Sequence, residues 1–282
     1  MDVISDKEAL REQLQEWRHD NEHIALVPTR GNLHDGHLSL IEIALQHAER
    51  VVVSVFPNPA PSGDGENDDA YPGSLEVDKR KVRRAKGDLL FVPSLETMYP
   101  FGIEAAATVR LPVLTEELCG EERPGHFDRV TSEVARLFGQ VQPDVAVFGE
   151  KDYQQLAIIK RLVADMSLPI EIIAGPTRRE EDGLAMSSKI QLLDESQRAI
   201  APRLYAVLME VAGVLESGSE DYAWLEENAM QSLNDAGFEA QYVSIRRAET
   251  LDAPDRDTDE LVVLGAAKLG SARLIDNVLV HV

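Results

Sequence analysis

Short runs of β-branched residues alternate with stretches of helical periodicity in the first half of the chain, and this alternation constrains the fold most. Strands are expected at about 23–27, 51–56, 88–92, 144–148 and 170–173. Helices are expected from about Gly36 and over 154–164, and residues 1–8 are interpreted as the start of an amphipathic helix. Strands and helices that alternate in this way are typical of βαβ units around a parallel sheet. The first half is therefore predicted to be an α/β domain.

The second half has a different order of elements. Helical stretches at about 195–217 and 222–236 are followed by short strands near 240–245, 260–264 and 273–280. Helices followed by strands predict a small α+β domain. The segment 175–183 is polar, charged and bounded by Gly and Pro, which suits a linker or the edge of an active site. We therefore expect one domain over residues 1–175 and a second over 176–282.

The composition excludes several function classes. The chain has 282 residues, 44% of them hydrophobic, and its 28 Lys and Arg against 50 Asp and Glu give a net charge of −22. Such an acidic chain is a poor partner for nucleic acid or an anionic membrane, which need clustered cations. The N-terminus does not resemble a signal peptide, so a cytoplasmic protein is expected. The single cysteine, Cys119, cannot form an internal disulfide and is expected to be a small, half-buried residue.

The segment from Val27 to His37 carries the clearest chemical signal. A strand ends near Pro28, a turn with Gly31 follows, and His34 and His37 lie where a helix begins. Backbone N–H groups at a helix start favour phosphate, and imidazoles there can donate to phosphate oxygens. Two other interpretations stay open: the histidines only cap the helix, or they bind a metal, although no third ligand at suitable spacing is evident nearby. The segment predicts a nucleotide site.

An acidic loop at 60–69 directly follows a predicted strand. Ligands bind at the carboxyl ends of the strands in open α/β sheets, so a lid and a disordered bulge are both open interpretations of this loop.

Several further motifs occur in a fixed order along the chain. They are Arg-Pro-Gly-His-Phe at 123–127, Gln-Pro-Asp at 142–144, Phe-Gly-Glu-Lys-Asp-Tyr-Gln-Gln-Leu at 148–156, Asp-Gly-Leu-Ala-Met-Ser-Ser at 182–188 and Ala-Arg-Leu-Ile-Asp-Asn at 272–277. The strand, turn and His-Asp-Gly-His segment resembles the signature of Rossmann-like nucleotidyltransferases. With the later motifs, the whole chain resembles the pantoate–β-alanine ligase family.

This resemblance implies a fold and an activity. The expected fold is a Rossmann-like nucleotidyltransferase domain with a parallel sheet, followed by a smaller C-terminal α+β domain. The family uses ATP and Mg²⁺ to convert pantoate into an acyl adenylate, with release of pyrophosphate, and β-alanine then displaces AMP. The expected partners are a small carboxylic acid and an amine, and family members are homodimers.

The resemblance also implies roles for individual residues. The catalytic candidates that contact the ATP phosphates are His34, His37, Lys151, Ser187, Ser188 and Lys189. Further candidates for nucleotide binding are Pro28, Thr29, Gly31, Gly36, Gly149, Asp152 and Met186. The acid-binding candidates are Arg30, Asn58, Pro61, Val130, Glu133 and Gln155, and Asp78 is the candidate carboxylate for Mg²⁺.

The chain departs from the family pattern mainly around the acid. Arg30 replaces a Met, Pro61 replaces a Gln that binds pantoate, and Glu133 takes an aliphatic position. Arg129, Lys189 and Ile190 also depart from the pattern. Because unpaired buried charge is costly, Arg30 and Glu133 are expected to pair with each other, to face solvent or to meet a charged substrate. Three functions follow: a pantoate ligase with an unusual pocket, a ligase for a more polar acid, or a non-catalytic nucleotide-binding protein.

Overall fold

The computed structural model describes residues 1–57 and 75–282. The acidic loop at 60–69 and the acid-site candidates Asn58 and Pro61 lie outside the described residues.

A parallel sheet with helices forms the first part of the structure. Its strands are β1 (Asp2–Ile4), β2 (Ile24–Thr29), β3 (Arg50–Val55), β4 (Leu89–Phe91), β5 (Val145–Gly149) and β6 (Glu171–Gly175). Its helices are α1 (Lys7–His19), α2 (Asp35–His47), α3 (Leu75–Arg84), α4 (Leu95–Met98), α5 (Cys119–Glu122), α6 (His126–Val141) and α7 (Tyr153–Asp165), with a 3₁₀ turn at Glu150–Asp152.

The six strands lie in the order β1-β4-β3-β2-β5-β6, and every pair is parallel. The central strands are buried on both faces, so they are nearly continuous apolar runs; in β2 every residue except Pro28 is buried. The chain moves from β2 towards β3 and β4 and later returns to the other side of β2 with β5 and β6. The strand order therefore reverses between β2 and β5, and this is where open α/β sheets bind ligands.

A three-stranded antiparallel sheet with helices forms the remainder. Its helices are α8 (Glu195–Ile200), α9 (Arg203–Glu216) and α10 (Tyr222–Asp235), its strands are β7 (Glu239–Arg247), β8 (Glu260–Leu269) and β9 (Ala272–His281), and a 3₁₀ helix spans Ser188–Leu192. The core of this sheet and its helices includes Leu208, Leu233 and Val263, all fully buried. The α+β arrangement expected for the second half is confirmed.

Contacts divide the chain into two compact units, which are described separately. The first comprises Met1–Glu150 and Ile158–Pro176, and the second comprises Lys151–Ala157 and Thr177–Val282. Most of the 3₁₀ turn and the start of α7, up to Ala157, therefore belong to the second unit, and the remainder of α7 belongs to the first. Our assignment of domains to 1–175 and 176–282 stays a proposal.

Two elements differ from expectation. The start of the chain is not helical: Asp2–Ile4 pairs in parallel with β4, and α1 begins only after Asp6, whose carboxylate accepts the Ala9 N–H. The helical stretch expected at 195–217 is two helices, because Pro202 has no N–H and α9 restarts after it. Cys119 is buried rather than half-buried.

Among the helices of the described residues, none is both long and apolar enough to span a bilayer.

Candidate active site

The loop between β2 and α2 lies at the carboxyl end of the central strand. Gly31 and Asn32 both have positive φ values, of 86° and 52°, so the chain turns sharply directly after the strand. The Thr29 hydroxyl accepts the Gly31 N–H at 3.2 Å and donates to the Ser54 carbonyl on β3 at 2.8 Å. A left-handed backbone disfavours most side chains, which explains a glycine at this position. The turn brings the start of α2 to the point where the strand order reverses.

Asp78 on α3 binds the backbone of this loop. Its side chain is buried, and its two oxygens accept the N–H groups of Asn32 at 2.7 Å and Leu33 at 2.9 Å. Lys81, one turn later, donates through Nζ to the Leu33 carbonyl. A carboxylate that accepts two backbone N–H groups makes strong, charge-assisted hydrogen bonds. Asp78 therefore fixes the shape of the turn that precedes the two histidines.

The two histidines lie at the first turn of α2. His34 is the N-terminal cap residue, and its backbone N–H donates to Nδ1 of His37 at 3.2 Å. The two rings are 4.0 Å apart between centroids and tilted by 46°. Because Nδ1 of His37 accepts, the proton of the neutral ring is on Nε2. His37 thus has a donor suited to an anion at the helix start, where the N–H groups also favour negative charge.

Close packing holds α2 against the neighbouring strands. Leu40 of α2 lies so near the ends of β5 and β6 that a Cβ atom at Gly175 would be 2.2 Å from its Cδ2 atom and one at Gly149 would be 3.8 Å from its Cδ1 atom. A side chain at Gly175 would therefore force the Leu40 side chain to move. Leu40 thus packs tightly against the end of β6 and is in ordinary van der Waals range of the end of β5.

The candidates Lys151 and Asp152 belong to the second unit. They lie in the 3₁₀ turn after β5; Lys151 is half-buried and Asp152 is exposed. Two hydrogen bonds within the unit hold this segment: the Asn277 side chain donates to the Lys151 carbonyl at 3.1 Å, and the Tyr153 hydroxyl donates to the Ala248 carbonyl at 2.9 Å.

A β-hairpin leads to the serine candidates. The Met186 N–H donates to the Arg178 carbonyl at 2.9 Å, and Arg179 pairs with Ala185 as an antiparallel bridge. Met186 ends the hairpin, and Ser187, Ser188 and Lys189 follow it; all four residues are half-buried. The Ser187 hydroxyl accepts the Lys189 N–H at 3.2 Å, which caps the 3₁₀ helix. The segment predicted as a linker or a site edge is thus an ordered hairpin.

An ion pair connects the turn of this hairpin to α8: the Arg198 guanidinium donates to the Asp182 carboxylate. The hydrogen bond from the Arg198 guanidinium lowers the pKa of the Asp182 carboxyl, and the Leu184 N–H lowers it further, while burial opposes the shift. The same pair raises the pKa of Arg198. Both groups are therefore charged at neutral pH.

The acid-site candidates are distributed over several elements. Arg30 is exposed and follows β2, whereas Val130 and Glu133 are buried on α6. Arg129 on α6 and Gln155 on α7 are half-buried. Solvent exposure of Arg30 fits one of the three expectations for it, and a buried Glu133 needs a compensating contact. Whether Arg30 and Glu133 pair stays a prediction.

Sequence reasoning singled out the histidines but missed the groups that support them. Asp78 was assigned to Mg²⁺, and its contacts with the Asn32 and Leu33 N–H groups were not foreseen. Lys81 was missed altogether, although Asp78 and Lys81 are three residues apart and so lie on one face of a helix. Asp276 and Asn277 belong to the motif at 272–277, but the sequence assigned no role to either residue.

These features define the class of the protein: a Rossmann-like nucleotidyltransferase fold, followed by a smaller antiparallel α+β part. The family model described as pantoate-beta-alanine ligase matches residues 2–279. This chain belongs to that family.

Relatives match over nearly the whole chain. The pantothenate synthetase of Ectopseudomonas mendocina is 48% identical over 281 residues, which cover 100% of this chain and 99% of that protein. The pantothenate synthetase of Halorhodospira halophila is 49% identical over 280 residues, covering 99% and 98%.

Two solved structures are also similar. Pantothenate synthetase from Thermus thermophilus has a TM-score of 0.90 and 40% identity, with 99% of both chains covered. Pantoate-beta-alanine ligase from Francisella tularensis, complexed with beta-gamma ATP and beta-alanine, has a TM-score of 0.79 and 30% identity, with 99% and 97% covered. These comparisons do not favour a ligase for a different acid or a binding-only protein.

Proposed function

We propose that this protein is an ATP-dependent ligase that joins pantoate to β-alanine. The observation that carries the proposal is the start of α2 at the reversal point of the sheet, with His34 and His37 in its first turn. Membership of the pantoate–β-alanine ligase family supports it. The name of the Francisella structure, with ATP and beta-alanine bound, agrees with this substrate pair.

The proposed reaction has two steps. A carboxylate oxygen of pantoate attacks the α-phosphorus of ATP, the bond to the β-phosphate oxygen breaks, and pyrophosphate leaves. The amine of β-alanine then attacks the acyl carbon, its proton is lost, and AMP leaves with the electron pair of the broken bond. The mixed anhydride makes the carboxylate electrophilic, and positioning with charge neutralisation supplies most of the acceleration.

The residues divide into three proposed groups. His34, His37, Lys151, Ser187, Ser188 and Lys189 bind the phosphates; Pro28, Thr29, Gly31, Gly36, Gly149, Asp152 and Met186 bind the rest of the nucleotide; and Arg30, Val130, Glu133 and Gln155 form the acid site, with Asn58 and Pro61. Lys189 replaces an arginine of the family pattern; it keeps the positive charge but has no planar fork for bidentate phosphate contacts.

Magnesium fits this proposal as an ion that arrives with ATP. The described residues contain no group of three or more His, Cys, Asp or Glu that could hold a metal. Mg²⁺ usually keeps several waters and binds through substrate phosphates with one or two carboxylates. Bound to the phosphates, it would neutralise their charge. Asp78 is the candidate carboxylate, although its two oxygens already accept backbone N–H groups.

The deciding experiment measures pyrophosphate release from ATP and Mg²⁺ with pantoate as the acid, with and without β-alanine. Products are identified by mass spectrometry. We expect pantothenate and AMP at a rate on the order of 1 s⁻¹ or more. No turnover with pantoate, but turnover with another acid from a panel of charged and hydroxylated carboxylates, would overturn the assignment of the acid and keep the chemistry.

We also propose that the protein is a homodimer, as the family resemblance implies. Light scattering coupled to gel filtration should give a mass twice that of the 31.2 kDa chain. A mass of one chain at micromolar concentration would contradict this.

A further inference from the structure

An ion pair between a half-buried arginine and a buried aspartate connects the hairpin before Ser187 to strand β9. Two guanidinium nitrogens of Arg179 donate to the Asp276 carboxylate, Nη1 to Oδ2 at 2.6 Å and Nη2 to Oδ1 at 3.0 Å. The side chain of Asp276 is 2% exposed and that of Arg179 is 20% exposed. The Arg179 guanidinium also stacks on Tyr205, 3.6 Å from the ring centroid. A bidentate pair of this kind fixes orientation as well as distance.

Arg179 makes contacts within the hairpin as well as with Asp276. Its Nη1 donates to the Gly183 carbonyl at 3.1 Å, and its backbone pairs with Ala185. One guanidinium therefore binds both the turn of the hairpin and β9. The two proposed phosphate-binding serines follow this hairpin directly.

The next residue of β9 extends the connection to Lys151. Asp276 Oδ1 also accepts the backbone N–H of Asn277 at 2.8 Å. Asn277 is buried, with 7% of the residue exposed, and its side chain donates through Nδ2 to the Lys151 carbonyl at 3.1 Å. All these residues belong to the second unit.

The polar network around Arg179 and Asp276 is better explained by positioning than by stability. An ion pair at a largely buried position adds little net stability over apolar residues of similar size, and the same unit already has an apolar core of Leu and Val side chains. The polar network instead connects Lys151 with the distant hairpin at 178–186, which directly precedes Ser187 and Ser188. Lys151 and these two serines are proposed phosphate-binding groups.

We propose that Arg179, Asp276 and Asn277 are positioning residues that hold Lys151 and the Ser187–Ser188 segment in the arrangement that binds the ATP phosphates. None of the three needs to touch the nucleotide. The proposal rests on the proposed function, because it takes Lys151 and the two serines as phosphate-binding groups.

The test is a double-mutant cycle on ATP affinity, measured by calorimetry with Mg²⁺ present. The variants are Asn277→Ala, Lys151→Ala and the combination of the two. Asn234→Ala is the matched control, since the Asn234 side chain also bonds to the backbone of the same unit: it accepts the Ala240 N–H at 3.0 Å on an exposed surface. Arg179→Lys keeps the charge but loses the planar guanidinium that binds Asp276 through two nitrogens. It tests the hairpin end of the network. Thermal unfolding is followed for every variant.

We expect Asn277→Ala to raise the Kd for ATP about tenfold, as the loss of one hydrogen bond predicts, while the KM for pantoate stays within twofold. In the Lys151→Ala background, Asn277→Ala should add less than twofold, because its effect acts through Lys151. Arg179→Lys should raise the Kd in the same direction, and Asn234→Ala should leave it unchanged.

Contrary results separate the two proposals. An unchanged Kd in Asn277→Ala, or effects that multiply in the double variant, would overturn the positioning role and leave the proposed function standing. If Asn277→Ala does not fold, an unchanged Kd in Arg179→Lys has the same meaning. Failure of the wild-type protein to bind ATP would instead overturn the proposed function.

Discussion

At the scale of single residues, two candidates have the surroundings that their proposed chemistry needs. His37 accepts a backbone N–H through Nδ1, which leaves Nε2–H as its donor. The backbone carbonyl of Lys151 accepts a hydrogen bond from the Asn277 side chain. In both cases a neighbouring group fixes the orientation of the backbone or ring from which the functional atom extends.

Replacement of Lys151 by alanine should remove a cation from the proposed phosphate site. We expect the rate of pyrophosphate release to fall by at least ~100-fold, the usual loss when one such donor is removed, with unchanged circular dichroism. Lys160→Ala is the matched control, because Lys160 is an exposed lysine of α7. Near-normal turnover of Lys151→Ala would remove this residue from the phosphate site.

At the scale of elements, the β2–α2 loop and the 178–186 hairpin are each held by a carboxylate from elsewhere in the chain. Asp78 holds the first from α3, and Asp276 holds the second from β9. Asp78 accepts loop N–H groups directly, as buried backbone donors require, whereas Asp276 acts through the Arg179 guanidinium, which also binds the Gly183 carbonyl.

Replacement of Asp78 by asparagine should loosen the turn before His34. The amide has one acceptor oxygen, so one of the two loop N–H groups would face an NH₂ group. We expect the free energy of unfolding to fall by about 1.5–3 kcal/mol in urea titrations, with a higher KM for ATP. Glu76→Gln is the control on the exposed face of the same helix.

A titration with Mg²⁺ distinguishes the two roles considered for Asp78. A positioning role predicts the same half-saturating Mg²⁺ concentration in wild type and Asp78→Asn at saturating ATP. A large increase in that concentration would support direct metal binding instead.

The pair of Asp182 and Arg198 predicts a pH-dependent contribution to stability. The lowered pKa of Asp182 means that the folded state favours the carboxylate, so the contribution is present above the ordinary pKa near 3.8 and is lost as the pH falls through the folded-state value. Because the Asp182 side chain is 42% exposed, we expect Asp182→Asn to cost less than about 1 kcal/mol at pH 7.

The measurement is urea unfolding of wild type and Asp182→Asn between pH 3 and pH 7. The difference between them should shrink towards pH 3. Glu181→Gln, an exposed carboxylate beside it, should show little difference at any pH. A constant difference for Asp182→Asn across this range would contradict the ion-pair explanation.

At the scale of the whole molecule, the net charge of −22 is the property that most affects how stability depends on salt. Repulsion among like charges destabilises a compact state, and salt screens it as the Debye length falls from ~30 Å at 0.01 M to ~3 Å at 1 M. We expect the free energy of unfolding to rise as NaCl increases over this range. Choline chloride should act similarly if screening is the cause, and a fall in stability with both salts would contradict it.

The sequence determined much of this protein by local physics. Continuous β-branched runs predicted the parallel strands, since strands buried on both faces must be apolar throughout. The His-Asp-Gly-His segment marked the start of α2, and the order of the motifs gave the family. The short strand β1 was missed, because three residues carry too little periodicity to distinguish them from the start of a helix.

The tertiary structure decided which groups support the site. Nothing local to Asp78 shows that it binds Asn32 and Leu33, some 45 residues earlier, and nothing local to Asn277 shows that it binds the carbonyl of Lys151, more than 120 residues earlier. Patterns of burial and helix capping depend on residues a few positions apart, so the sequence shows them directly. Hydrogen bonds between distant segments depend on how the chain folds back on itself, and only the folded structure reveals them.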